Sequence, residues 1–184
     1  MGELINIDDA RHAEALRLAQ QTLAIFAKMP GHYNNTLNSH LRGKLGEIAT
    51  ADWLAANRIK LDAAFRDTGR IKEADIVAVG VRTLRLDVKT WDSKYWPEMG
   101  RCVAVGQLDK LRAKAEGIVW CVSPSTLDPG IGVEIVGWNT LADIEAAPRR
   151  MTGPTGKRQV DNYQVDPGNV RPPTSLLAAL AVAQ

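Results

Sequence analysis

Residues 74–90 read Ala-Asp-Ile-Val-Ala-Val-Gly-Val-Arg-Thr-Leu-Arg-Leu-Asp-Val-Lys-Thr. Two apolar-rich runs, 74–79 and 83–90, flank a turn at Gly80, and this pattern predicts a β-hairpin. In the second run Leu84, Leu86 and Val88 alternate with Arg85, Asp87 and Lys89. One face of that strand is therefore apolar and the other ionic. Asp87 and Lys89 then stand about 7 Å apart along the strand. The hairpin turn can bring Asp75, at the start of the first strand, beside Asp87. Two carboxylates held that close repel, and without a cation one of them tends to stay protonated. A divalent cation resolves the conflict, since Mg²⁺ takes one or two carboxylates, several waters and a substrate phosphate. Lys89 beside such a site can hold a water or hydroxide and help neutralise a pentavalent phosphate. The set suits metal-assisted phosphodiester hydrolysis.

Working outward, helices are predicted over 9–28, capped by Asp8 or Asp9, and over 40–57, with a polar loop at 31–39 between them. Gly43 and Gly46 are costly inside the second helix and point to close approach of its backbone to a sheet or a ligand. A short strand is expected over 62–66. After the hairpin come an irregular loop at 91–100, a short strand at 101–105 and a helix at 107–116. Strands at 118–122 and 133–138 follow, then a short helix to Ala147 capped by Asn139. From Pro148 to Pro173 the sequence turns to Pro, Gly and polar residues, a basic arm, before a last apolar helix over 174–183 capped by Thr174 or Ser175. The order predicts an α/β fold with a mixed central sheet flanked by helices. The whole chain reads as one domain: an N-terminal helix and loop (1–39), a core (40–147), and the arm with its helix (148–184).

Four features fall in a particular order along that core. Glu47 lies in Gly43-Lys44-Leu45-Gly46-Glu47 on the second helix, Asp75 opens the hairpin, Asp87-Val88-Lys89 ends its second strand, and Gln107 starts the next helix. This arrangement resembles the core of the PD-(D/E)XK nuclease superfamily, the restriction-endonuclease-like fold with its αβββαβ order, over about residues 40–123. The resemblance implies that Asp75 and Asp87 are metal ligands, helped by the Val88 carbonyl, and that Glu47 binds metal directly or through water. Lys89 would position the attacking water, and Gln107 would steady the site or a phosphate. Ala74 stands where the family often has a proline, and Asp87 is one of its permitted second acids. The implied cofactor is Mg²⁺, with Mn²⁺ as a substitute. The implied partner is DNA, cut by a homodimer.

Alone, an acid-x-Lys tripeptide carries little information, and Asp92-Ser93-Lys94 is a second one. Alternation of apolar residues around Asp87 and Lys89 favours the first. The rival reading makes Glu47 a solvated helix acid, and Asp87 and Lys89 a surface ion pair of small energetic value. Lys44, Trp91, Lys94, Tyr95 and Trp96 lie near the expected site, and Arg149, Arg150, Lys157 and Arg158 lie in the arm. These are the candidate nucleic-acid contacts, through stacking and phosphate pairing. The rival for the loop is a packed surface or dimer interface, and for the arm a solvated loop.

The 184 residues carry a formal net charge of +2, which excludes a histone-like binder but not a local basic groove. Two cysteines allow no disulfide framework or four-thiolate zinc site. Three histidines without metal-pair spacing turn attention from zinc to an oxygen-ligated ion. The absence of an ~18-residue apolar run argues against a membrane span, and the acidic start does not read as a secretory signal. The expected compartment is the cytoplasm. Five tryptophans stand against two phenylalanines, and Trp53, Trp120 and Trp138 fall in regular elements as expected core. Within nucleases, a sequence-specific enzyme competes with a structure-selective one such as a Holliday-junction resolvase or repair nuclease. Outside them, the rivals are a non-catalytic nucleic-acid-binding module and a subunit of a larger phage or defence assembly.

Overall fold

The computed structural model describes residues 2–27, 36–153 and 159–181. The fold is α/β. A six-stranded mixed sheet has the order β1-β7-β6-β4-β3-β2, built from β1 (Glu3–Asn6), β2 (Lys60–Asp62), β3 (Ile76–Val79), β4 (Thr83–Asp92), β6 (Gly117–Ser123) and β7 (Gly132–Thr140). A second sheet, ordered β5-β9-β8, comprises β5 (Cys102–Ala104), β8 (Arg149–Thr152) and β9 (Val160–Gln164). The described helices are α1 (Asp9–Phe26), α2 (Leu37–Ala56), α3 (Trp96–Met99), α4 (Leu108–Lys114), α5 (Leu141–Ala146) and α6 (Pro173–Ala181).

The expected hairpin forms. β3 and β4 pair antiparallel with Ile76 opposite Leu86 and Val79 opposite Thr83. β4 then pairs in parallel with β6, Leu86 with Gly117 through Asp92 with Ser123. A parallel neighbour needs a crossover, and α4 lies on it. The alternation in β6 divides the core. Val119 and Cys121 face a cluster with Leu45, Ile48, Leu54, Ile76, Leu86 and Leu176, while Ile118 and Trp120 face Val103, Leu108, Leu111, Leu141 and Ile144. A strand covered on both faces reads as an unbroken apolar run, which is why 118–122 lacked alternation. Trp53, Trp120 and Trp138 are core, as expected.

Several boundaries differ from the sequence reading. The strand expected over 62–66 is β2 at 60–62, followed by a 3-10 turn at Ala64–Arg66. α2 begins earlier, at Leu37, because Thr36 and Ser39 form a reciprocal capping box. Residues 28–35, which span the end of the first expected helix and the first part of the loop expected at 31–39, lie outside the described residues. Trp91 and Asp92 belong to β4 and not to a loop, since parallel pairing with β6 continues through Ser123. Asn139 does not cap α5. It is buried in β7, accepts a hydrogen bond from Trp120 Nε1 at 2.8 Å and donates to the Asn169 carbonyl, while Thr140 caps the helix. Neither Thr174 nor Ser175 caps α6, which begins at Pro173; Ser175 Oγ instead accepts from Trp138 Nε1 at 2.9 Å.

Segments near both ends of the described residues are built into the fold. β1 pairs with β7, and Ile7 behind it is fully buried. The expected arm contains the β8–β9 hairpin, which pairs with β5, and Trp138 forms a bridge with Arg171. Among the described residues, no helix is long and apolar enough to cross a membrane.

Candidate active site

Extending the hairpin register by one step sets Asp75 opposite Asp87. The Val88 backbone N–H donates to Asp75 Oδ2 at 2.8 Å, which fixes the first carboxylate against the second strand. Asp87 alternates with Leu86 and Val88, so it leaves the apolar face and turns toward the side that α4 covers. It is only 3% exposed. A surface ion pair is therefore the wrong description of Asp87 and Lys89. The Lys89 ammonium pairs with Asp87 Oδ2 at 3.1 Å, and that buried oxygen has no other polar partner among the described residues. Its charge is answered by that ion pair alone.

Glu47 comes from α2. A Cβ at Gly46 would collide with the Thr90 hydroxyl and approach Thr90 Cβ at 3.0 Å and Cys121 Cβ at 3.2 Å. Glycine here lets the helix lie directly on β4 and β6 and carries its neighbour Glu47 to the site. The anticipated close approach is thus real at Gly46, whereas Gly43 has open space around it. Glu47 is buried, and Lys44 Nζ sits 2.7 Å from its Oε2. Lys44, a candidate nucleic-acid contact, is committed here to Glu47 and lies over the Phe65 ring.

The charges perturb one another. Burial, then the Asp75 and Asp87 charges, push Glu47 up to about 8 despite Lys44. Burial and Asp87 raise Asp75 to about 6. Asp87 moves the other way: burial alone would raise it, but the Lys89 and Lys114 ammonium groups outweigh burial and hold it ionised below the usual carboxylate range. One acid of the facing pair is thus held charged while the other is harder to ionise.

These raised values set a pH dependence. Glu47 and Asp75 bind their protons more tightly folded than unfolded, so stability is greatest at low pH within this pair's range and falls as pH climbs. For Glu47 the window runs from 4.5, its ordinary value, to about 8. Chemical denaturation of the metal-free chain should show stability falling by more than about 1 kcal/mol between pH 5 and 8, and Glu47→Gln should flatten that slope. A wild-type slope of the opposite sign would contradict the assignment.

Lys114, which the sequence reading did not single out, completes the site. Its ammonium is 2.5 Å from Asp87 Oδ1 and 3.9 Å from Asp75 Oδ1. A signal existed: Lys114 follows Leu111 by three residues on a helix whose buried side chains are Leu108 and Leu111. The side chain therefore borders the face turned inward.

Gln107 is exposed and makes no described contact with the carboxylates, but it shares a surface cleft with Lys89, Thr90 and Trp91. Thr152, Val160 and Asn162 of the β8–β9 hairpin form part of the same lining. Lys94 and Tyr95 are exposed, with the ammonium over the ring. Trp96 instead packs beside the second core cluster, beneath the Arg101 guanidinium. Arg149 pairs with Asp161, and Arg150 with Asp166 at 2.7 Å, so much of their charge is answered within the fold. Lys157 and Arg158 lie outside the described residues.

The competing motif has another job. Asp92 pairs with Arg42 at 2.9 Å and accepts from Ser125 Oγ and the Lys94 N–H, joining α2 to the segment after β6. Asp92→Asn should lower stability by about 1–2 kcal/mol in denaturant titrations. It should also leave any cleavage activity within a few-fold of wild type, and a loss as deep as that of an Asp87 variant would reverse the choice between the two motifs.

Among the described residues, no group of three or more His, Cys, Asp or Glu forms a ready-made metal cluster. The donor set fits a hard ion that keeps several waters: two facing carboxylates, one of them held ionised despite its burial. Comparison with family models, curated proteins and solved structures gave no match.

Proposed function

We propose that this chain is a Mg²⁺-dependent DNA endonuclease with a restriction-endonuclease-like core. The observation that carries the reading is the facing pair Asp75 and Asp87, with the buried Asp87 Oδ2 held, among the described residues, by the Lys89 ammonium alone. Asp75 and Asp87 would hold the ion, with the Val88 carbonyl and Glu47 as further oxygen donors. When bound, Mg²⁺ supplies charge neutralisation at the phosphate and a lower pKa for water. Lys89, two residues along the same strand, orients the attacking water and offsets charge on the phosphate. The cleft that Lys89 shares with Trp91 and Gln107 supplies a surface for the adjoining nucleotide strand. A homodimer would place one such site on each strand.

The test is a substrate panel. Supercoiled plasmid, linear duplex and branched DNA are incubated with Mg²⁺, Mn²⁺ or chelator, using wild type and Lys89→Ala. The reading expects metal-dependent cleavage that Lys89→Ala loses. Preference for branched over linear DNA would select a structure-selective enzyme. Cleavage retained by Lys89→Ala would sink the site assignment.

A second reading has its own support. Each of the three acids already has a lysine beside it, Lys44 at Glu47, Lys89 at Asp87 and Lys114 between Asp87 and Asp75. A self-neutralised site of that kind suits a non-catalytic nucleic-acid-binding module. Tight DNA binding with no cleavage of any substrate would favour it.

A further inference from the structure

Lys114 has no part in the chemistry assigned above, yet its ammonium lies within ion-pair distance of both facing carboxylates. It ends α4, after which Ala115 turns extended and the chain enters β6. A lysine at a helix C-terminus ordinarily has the last carbonyls and open solvent available to it. Here the side chain is 23% exposed and its ammonium lies 2.5 Å from Asp87 Oδ1 and 3.9 Å from Asp75 Oδ1. The two oxygens belong to different carboxylates on adjacent strands. A cation that approaches one oxygen from each holds the place that a shared metal ion would take.

We propose that Lys114 is the resident counter-cation of the Asp75–Asp87 pair, which a divalent ion must displace, so that this lysine sets the metal affinity of the site. The inference rests on the metal-site reading under Proposed function. Its physical basis is competition. The ammonium and the metal neutralise the same oxygens, and two cations cannot share them at contact distance without strong repulsion. Lys89 differs: it lies at Asp87 Oδ2 alone, on the same strand, and does not bridge the pair. Lys44 lies at Glu47. Lys114 alone among these three comes from the crossover helix, so its displacement leaves the hairpin undisturbed. It is a positioning residue and not a catalytic one.

The test measures Mn²⁺ binding by calorimetry, with free Mn²⁺ counted by electron paramagnetic resonance, on full-length wild type, Lys114→Met, Lys114→Arg and Asp87→Asn. Lys114→Met should bind Mn²⁺ about tenfold or more tightly than wild type, and Lys114→Arg should stay within about threefold of it. A merely structural lysine would leave the affinity unchanged or weaken it through local disorder. Should Lys114→Met fail to fold by circular dichroism, Lys114→Gln takes its place with the same expectation. Unchanged or weaker affinity in the neutral variant, with binding still lost in Asp87→Asn, overturns the role of Lys114 and leaves the metal site standing. Mn²⁺ binding that is indifferent to Asp87→Asn, or absent from every variant, overturns the site reading and this inference together.

Discussion

Asp87→Asn is expected to slow metal-dependent DNA cleavage by at least about 10³-fold while the chain stays folded. The substitution keeps the size of the side chain and removes its charge. Asp87 is the acid that Lys89 and Lys114 hold ionised despite its burial. Asp75 and Glu47 remain as oxygen donors without it, but burial makes both harder to ionise than Asp87. The structural loss should be smaller. Lys89 and Lys114 are each about one-quarter exposed at the side chain and can turn to water once the carboxylate is gone. A denaturant midpoint corresponding to about 1–2 kcal/mol of destabilisation is expected. Cleavage within tenfold of wild type would remove Asp87 from the chemistry.

The second large effect is one of packing. Gly46→Ala places a methyl group against Thr90 and Cys121, on two adjacent central strands. Overpacking of this kind costs about 1–3 kcal/mol, and the gain in helix propensity recovers about 1 kcal/mol of it. A net loss of about 1 kcal/mol, and at most about 2 kcal/mol, is expected, with reduced cleavage, because α2 must lift and Glu47 moves with it. Two controls sharpen the claim. Gly43→Ala meets open space and should be neutral or stabilising by up to about 1 kcal/mol. Thr90→Ala removes a buried hydroxyl that has no hydrogen bond among the described residues and should rescue part of the Gly46→Ala loss in a double-mutant cycle. Additive effects in that cycle would show that the clash is not the cause.

The hairpin was readable because its alternation is two-sided: Leu84, Leu86 and Val88 against Arg85, Asp87 and Lys89 is a pattern that a helix cannot satisfy. The same alternation predicted which acid turns away from the apolar core. Glu47 was singled out by its place in the ordered set, and the close approach expected of the helix glycines is found at its neighbour Gly46. Other parts were hidden for physical reasons. β1 is a four-residue edge strand, Glu3–Asn6, too short for its period to stand out. β8 and β9 carry polar residues on most positions, and they are strands because Arg149–Asp161 and Arg150–Asp166 pair across or beside the hairpin and because β5 lies alongside. A sequence shows such arginines as a basic arm, whereas the fold spends them on its own acids. Lys114 was missed although its spacing from Leu111 puts it beside the inward face of α4, because what that face meets on β4 is a tertiary contact. The tryptophan excess separates in the same way: Trp53, Trp120 and Trp138 are core, Trp96 packs under Arg101, and Trp91 alone lines the cleft beside Lys89.

Crystals grown from metal-free protein and soaked in Mn²⁺ test, through anomalous scattering, whether Asp75 and Asp87 form a seat for a divalent ion. A peak within ligand distance of both carboxylates, with the Lys114 ammonium moved away from them, is the predicted result. A fully soaked crystal in which the carboxylate pair binds no Mn²⁺ and Lys114 remains between Asp75 and Asp87 would rule out that seat.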